Sequence, residues 1–430
     1  GADGELAELP LPDDVDFRGV IDGQLIALLR SDWSADGFAA PAGAVVSVPL
    51  ASLDAGSVAG ASVIVAPSDR LAIQDVARTA DAVYVTALDN VTGRLMRATR
   101  DGSGWRTRDI ALPPNGTVSL VSADEFSDTL FFNFESFLDP DTLYLARDGQ
   151  DPEPVKQMPA RFDAADYTVE QQFATSADGT KVPYFLIRAK DMAFDGSTPT
   201  ILYGYGGFEI SLSPSYLSPL AIEWLKRGGA YAVANIRGGG EFGPRWHKAA
   251  LKENRPRAYE DFAAVAADLV ARKVTSPRRL GIYGGSNGGL LVGATMVRYP
   301  QLFGAVVSAV PLLDMLRYHK LLAGASWIGE YGNPDIPEER AFIERYSPYQ
   351  NVRADVVYPP VFFTTSTRDD RVHPGHARKM AAKMMAQGHD VLYYENIEGG
   401  HAAAANLEQR ARRDALVLTY FLQELADPER

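Results

Sequence analysis

The sequence predicts an α/β protein in two parts, an all-β amino-terminal portion followed by a doubly wound domain with a mostly parallel sheet. Three observations predict it. Short alternating apolar strands closed by tight turns recur through residues 1–159. Beyond them, strands and amphipathic helices alternate to the end of the chain. Within that second part, the strand Leu280–Tyr283 runs through Gly284-Gly-Ser-Asn-Gly288 into an apolar helix over Leu290–Val297, the setting in which G-x-S-x-G carries chemistry.

In the first part, Asp22–Leu29, Asp81–Thr86 and Asp128–Asn133 each precede a partner strand, at Val45–Leu50, Arg94–Ala98 and Thr142–Ala146. Arg100-Asp-Gly102 and Arg147-Asp-Gly149 supply turn chemistry. Leu25, Val83 and Leu130 lie 58 and 47 residues apart, close to the period of propeller blades. These strands read as an incomplete β-propeller of about three blades, against the roughly four to eight of a closed ring. Open blades leave unpaired edges, so the expectation is a piece of a longer protein, or a separate N-terminal fragment that completes the propeller. The start, Gly1-Ala-Asp-Gly-Glu-Leu-Ala-Glu8, is acidic and lacks an initiator Met and a signal peptide; it reads as an internal beginning.

The texture changes around Met158–Asp166, which puts the second domain at 160–430. A hairpin (Tyr167–Ala174, Val182–Arg188, turning at Asp178-Gly179) leads into strands at Thr200–Tyr203 and Ala230–Arg237, then a helix over residues 258–272. Ala305–Val310, Val361–Thr365 and Val391–Glu395 continue the strand pattern. Helices over His376–Met385 and about Asn406–Leu425 complete it. With G-x-S-x-G at a strand–helix turn, this is an α/β-hydrolase pattern.

Composition narrows the class. Of 430 residues, 46% are hydrophobic and 23% charged, as in ordinary globular domains. The net charge of -13 argues against nucleic acid or an anionic membrane as partner. With no cysteine, disulfides, thiolate metal sites and a cysteine nucleophile are excluded, and the cytoplasm and the periplasm suit the chain equally. No apolar run reaches the length of a membrane span.

A serine hydroxyl needs a base to take its proton and a carboxylate to orient the base. Ser286 is the candidate nucleophile. In this fold the acid and the histidine follow it along the chain. Of the six histidines, His247 precedes Ser286, His389 lies before the last strand, and His319 reads as a structural donor. His373 and His376 flank Pro374-Gly375 without a third metal ligand. His401 follows the last strand through Gly399-Gly400 and is the base. The acid lies in the loop after Val361–Thr365, where Asp369 and Asp370 both qualify. The developing oxyanion needs donors: one is the backbone N–H of Asn287, and the other comes from Gly204-Tyr-Gly-Gly-Phe208. Gly238, Gly240 and Gly243 match G-x-G-x-x-G, but no convincing helix opens after them and no acid follows at a second strand end. They read as a tight loop at the rim of the site. No cofactor and no metal are called for.

With these residues in place, the chain resembles the prolyl oligopeptidase family of serine peptidases. The motifs that carry the resemblance are Leu202-Tyr-Gly-Tyr-Gly-Gly-Phe208, Ala234-Asn-Ile-Arg-Gly-Gly-Gly-Glu-Phe-Gly243, Gly284-Gly-Ser-Asn-Gly-Gly289, Asp369-Asp-Arg-Val372 and Gly399-Gly-His401. The family joins an α/β-hydrolase domain to a seven-bladed propeller, which implies that about three blades of seven are present here. The resemblance implies that Asp369 is the triad acid and that the Tyr205 hydroxyl is the second oxyanion donor. It also implies that Arg371 binds a substrate carbonyl on the acyl side and that Trp327 packs against the substrate proline, with Tyr331, Phe208 and Val372 completing the pocket. Leu312 stands where the family has a smaller β-branched residue. The expected partners are short proline-containing peptides.

Two other functions compete. One is a peptidase or esterase of the same fold with another preference, for basic residues or as an acylaminoacyl-type enzyme; a basic preference would require acidic pocket residues. The other is an inactive hydrolase–propeller scaffold that binds without cutting.

Overall fold

The computed structural model describes residues 8–102, 104–147 and 149–427. The acidic start at residues 1–7 and Asp148 of one predicted turn lie outside them. The chain forms two units. One runs to Ala160 and takes in Ser213–Tyr216 and Glu241–Arg245; the other comprises Arg161–Leu212, Leu217–Gly240 and the chain from Trp246 onward.

The first unit is three successive four-stranded antiparallel sheets, blades of a β-propeller. The first contains Asp16–Ile21, Gln24–Leu28, Val45–Pro49 and Ser62–Val65, with a small hairpin, Trp33–Ala35 and Phe38–Ala40, between its second and third strands. The second contains Leu71–Arg78, Val83–Asp89, Thr92–Asp101 and Gly104–Ile110, and the third Gly116–Ala123, Thr129–Ser136, Thr142–Arg147 and Glu153–Gln157. Alternation sends successive side chains to opposite faces, and here both faces are apolar. Val83, Val85 and Ala87 pack with Ile26, Leu28 and Val45 of the first blade. From the other face Tyr84 and Leu95 pack with Leu130, Phe132 and Phe134 of the third. The outer strands escaped the sequence pattern, most plainly the polar Glu153–Gln157, which is exposed throughout.

One buried charge joins the second and third blades. Asp128 accepts hydrogen bonds from Thr79 Oγ1 (2.8 Å), the Tyr84 hydroxyl (3.0 Å) and Arg97 Nε (3.1 Å), and its side chain is 2% exposed. Burial, reinforced by this carboxylate, pushes the Tyr84 phenol up to about 12.

The second unit is built on one eight-stranded sheet: β1 (Tyr167–Thr175), β2 (Lys181–Ala189), β3 (Thr200–Tyr203), β4 (Ala230–Ala234), β5 (Leu280–Gly285), β6 (Ala305–Ala309), β7 (Val361–Ser366) and β8 (Val391–Asn396). Their order is β1-β2-β4-β3-β5-β6-β7-β8. The β1–β2 and β2–β4 pairings are antiparallel, and the other five are parallel. Every residue of β4, β6 and β7 is buried, as expected of central strands covered on both faces. Helices α1 (Pro219–Lys226), α2 (Pro256–Ala271), α3 (Asn287–Arg298), α4 (Gly375–Ala386) and α5 (Leu407–Phe421) are among the helices that flank the strands of this sheet in the chain. The side chains of Ser218 and Asn406 cap α1 and α5 by accepting from Ala221 N (3.3 Å) and Gln409 N (2.9 Å).

Three details differ from the sequence expectation. The strand expected to reach Arg237 stops at Ala234, because the Arg237 side chain and backbone N–H turn onto the buried Asp261 of α2. A five-residue helix, Pro244–Lys248, does open after the glycine-rich loop. The last helix ends at Phe421 and continues as a π-helical turn over Leu422–Ala426.

Replacing Asp128 with Ala should destabilise the protein by about 2–4 kcal/mol, because it strands a half-buried arginine and two buried hydroxyls. Urea unfolding followed by circular dichroism reads the loss, and a change below about 0.5 kcal/mol would show that the carboxylate does not hold the blades together.

Candidate active site

The carboxyl edge of the sheet gathers the predicted residues. Chain order reverses across β4-β3-β5, and a crevice opens outside the strand ends at such a point. The loop after β3 carries Tyr205 there, beside the turn after β5 that carries Ser286, with Tyr203 and Tyr283 in register. The loops after β7 and β8, whose last residues Ser366 and Asn396 are paired, carry Asp369 and His401 to the same edge.

Ser286 has φ 59° and ψ −117°, a conformation that costs a non-glycine residue roughly 1–3 kcal/mol. The turn is held by Ser286 N donating to Ala309 O (2.8 Å) on β6 and by Leu290 N donating to Ser286 O (3.1 Å). A Cβ at position 284 would lie 2.2 Å from Gly288 O, so only glycine lets the helix start this close to the strand.

His401 Nε2 lies 3.1 Å from Ser286 Oγ, and its Nδ1 lies 2.8 and 3.0 Å from the two oxygens of Asp369. Asp369 Oδ1 also accepts from the backbone N–H groups of Arg371 and Val372, both at 2.9 Å. With Nδ1–H donated to the carboxylate, the Nε2 lone pair faces the serine. Asp370, the neighbour that residue-level reasoning could not separate from Asp369, is exposed.

The Asn287 side chain is fully engaged: Nδ2 donates to Tyr205 O (2.6 Å), and Oδ1 accepts from the Tyr331 hydroxyl (2.7 Å) and Arg255 (2.5 Å). Asn287 opens α3, so its backbone N–H is one of the first-turn donors that a helix does not satisfy internally. Burial raises the Tyr205 phenol, while the positive charges of Arg255 and Arg371 and a hydrogen bond with Ser286 pull it down.

Phe208, Trp327 and Tyr331 form an edge-to-face cluster, with ring centroids 6.5 Å apart for Phe208–Trp327 and 5.7 Å for Phe208–Tyr331. Tyr331, Leu312 and Val372 are buried in the domain core, against which Phe208 and Trp327 pack half-buried. Arg371 is exposed.

The other histidines are occupied elsewhere. His376 Nδ1 accepts from Leu313 N (3.3 Å) and Asp314 N (3.1 Å), and His373 Nδ1 accepts from Gly375 N (3.0 Å). His319 Nε2 faces Asp335 at 3.1 Å. His247 Nε2 meets Glu330 at 2.8 Å. Sequence reasoning passed over Arg255 and Glu330, which form a buried pair at 2.9 Å. Glu330 sits inside Trp327-Ile-Gly-Glu-Tyr331, beside two residues that were singled out; Arg255 carried no signal, since its partners are far along the chain. The glycine-rich decoy loop abuts the site, and a Cβ at Gly238 would lie 2.5 Å from Gly206 O.

Comparison with known proteins places this arrangement. The model of the prolyl oligopeptidase family matches residues 215–428, and that of the family's N-terminal β-propeller domain matches residues 33–157. The chain belongs to the prolyl oligopeptidase family of serine peptidases. It is 52% identical to the uncharacterized peptidase y4nA of Sinorhizobium fredii, over 97% of this chain and 58% of that one. It is 39% identical to a prolyl endopeptidase of Elizabethkingia miricola, over 76% of this chain and 47% of that one. A solved post-proline cleaving enzyme from Rickettsia typhi matches with a TM-score of 0.89 and 35% identity, over 98% of this chain and 62% of that one. The chain thus spans about three fifths of the length of its first relatives. A separate N-terminal fragment as partner finds no support in these comparisons. No helix among the described residues is long and apolar enough to cross a membrane.

His376 yields a pH prediction. Burial, with Lys379 and His373 nearby, depresses its imidazole to about 4, against roughly 6.5 in an unfolded chain. Its neutral form is therefore favoured by the fold, and stability should fall by up to about 3 kcal/mol as pH drops from about 6.5 to 4. Thermal unfolding across that range, compared with His376→Gln, reads this term; identical pH slopes in the two proteins would refute it.

Proposed function

We propose that this chain, within its full-length protein, is a serine endopeptidase that hydrolyses short peptides on the carboxyl side of proline. The observation that carries the reading is the Asp369–His401–Ser286 hydrogen-bonded relay lying in the same domain as the three-ring cluster of Phe208, Trp327 and Tyr331.

In this mechanism Ser286 Oγ attacks the proline carbonyl carbon while His401 Nε2 takes its proton, and Asp369 holds the imidazole in the required tautomer. The negative charge that forms on the carbonyl oxygen is met by the Asn287 backbone N–H and the Tyr205 hydroxyl. His401 then protonates the leaving amine, and water, deprotonated by the same imidazole, releases the acyl-enzyme. Arg371 binds a carbonyl on the acyl side. The proline ring, flat and apolar, packs on Trp327 between Phe208 and Tyr331 with Val372 and Leu312 behind, a contact that buries ring faces at little entropic cost.

Cleavage after basic residues is the competing reading, because a carboxylate, Glu330, adjoins the aromatic cluster. Its charge is already committed: Glu330 is 5% exposed, with Arg255 at 2.9 Å, His247 at 2.8 Å and the Phe208 N–H at 3.0 Å. A substrate cation would have to displace a buried arginine, and that disfavours the basic preference.

Chromogenic peptides ending in Pro or in Arg test the assignment directly. The Pro peptide should be cut with at least a hundredfold higher kcat/KM, and a preference for Arg would sink it. Trp327→Ala should lower kcat/KM for the Pro peptide about 10- to 100-fold, the worth of one aromatic contact. Labelling of Ser286 by a small fluorophosphonate should stay near the wild-type rate in that variant. Absence of any Ser286 adduct in folded wild-type protein would favour a binding scaffold instead.

A further inference from the structure

The mechanism leaves one buried charged cluster without a role. Arg255 is fully buried, yet no buried ion pair is needed merely to fill the space between the glycine-rich loops and α3. Its guanidinium reaches two acceptors at once: Nη1 donates to Glu330 Oε1 at 2.9 Å, and Nη2 to Asn287 Oδ1 at 2.5 Å. It also lies 5.3 Å from the centroid of the Tyr331 ring. Glu330 passes the restraint on, because Oε1 accepts the Phe208 N–H at 3.0 Å and Oε2 meets His247 at 2.8 Å.

The segments so held are those with the most reason to move. Phe208 and Glu209 both have positive φ, 57° and 56°, a strained pair for residues with side chains. Asn287 begins the helix directly after the strained serine. Between them a Cβ at position 207 would come within 2.5 Å of Asn287 Nδ2 and 3.1 Å of Arg255, so the loop, the asparagine and the guanidinium are in mutual contact. A lysine could supply the charge, but only the planar fork of arginine addresses two acceptors in fixed directions.

We propose that Arg255 is a positioning residue that holds the oxyanion donor Asn287 and, through Glu330, the pocket residues Phe208 and Tyr331 as one unit. The proposal rests on the reading of the chain as a post-proline serine peptidase. It explains why a carboxylate beside an aromatic pocket is neutralised from within, and it makes transition-state stabilisation and recognition of the substrate ring depend on one buried cation. The pull of the Arg255 charge on the Tyr205 phenol has the sign expected of a group that favours negative charge at this position.

The test compares wild-type full-length protein with Arg255→Lys and with the double variant Arg255→Met/Glu330→Gln. The double variant removes both charges together, so no ion is left buried alone, and Gln keeps an acceptor for the Phe208 N–H. The readouts are kcat and KM on a proline anilide, the same constants on its alanine counterpart, and the inhibition constant of a peptide aldehyde ending in prolinal. The aldehyde adds to Ser286 Oγ and leaves an oxyanion in the donor site. Both variants should lose about 30- to 300-fold in kcat, somewhat less than or equal to deletion of one oxyanion donor. The aldehyde should weaken in parallel, KM should change less than fivefold, and proline-over-alanine selectivity should fall about tenfold. A folded double variant with wild-type kcat, aldehyde affinity and selectivity would overturn the proposal and leave Arg255 a structural charge. Loss of fold in both variants would overturn it too, since Arg255 would then be a folding requirement. Failure of the wild type to cut the proline anilide would strike the functional reading itself, before any variant is compared.

Discussion

The backbone of Ser286 is the constraint on which the candidate site depends. A side-chain-bearing residue is held at positive φ between a buried strand and a helix, and the strain is offset by a hydrogen bond to the fully buried central strand β6. Because the turn is so tight, the residue after Ser286 is necessarily the first of α3. Its amide therefore points outward with no intrahelical partner. The strand order does the rest: β3 lies on one side of β5 and β6, β7 and β8 on the other, so loops distant in sequence converge on one serine.

Legibility in the sequence followed the range of the interactions. Most strands of the second unit could be read because they are local apolar runs, its first hairpin from its turn, and the central pair of each blade from its apolar alternation. Polar outer strands such as Gly104–Ile110 and Glu153–Gln157 could not, since they are defined by pairing and not by their own pattern. In the site, Ser286 and His401 stood out from motif and chain order. The residues alone left Asp369 and Asp370 equivalent; what separates them is whether the loop after β7 turns one carboxylate onto two backbone amides and an imidazole. Arg255 was invisible for the same reason in stronger form. It lies in a surface-like, proline-flanked stretch, Glu253-Asn-Arg-Pro-Arg257, and the two acceptors of its guanidinium lie 32 and 75 residues away.

The glycine-rich motifs are explained by approach distances more than by flexibility. Gly206 and Gly238 meet backbone to backbone, Gly207 lies against Asn287, and Gly284 against Gly288. Three loops are thereby nested closely around the start of α3, and the charges of Arg237, Asp261, Arg255 and Glu330 stitch these loops to α2 and to one another. The aromatic cluster then faces a wall of backbone and buried ion pairs, a surface that holds its shape.

The blades of the first unit obey a different economy. The second blade has two apolar faces, one packed on the first blade and the other on the third, so much of the hydrophobic stabilisation resides in the seams between sheets. Such a structure resembles a stack of cards: cohesion is a nearest-neighbour quantity. A seam such as that closed by Asp128 and Arg97 can loosen without unravelling the hydrogen-bonded ladders on either side. The hydrogen-bonded ladders within blades and the packed seams between them are thus separate contributions to the stability of this unit.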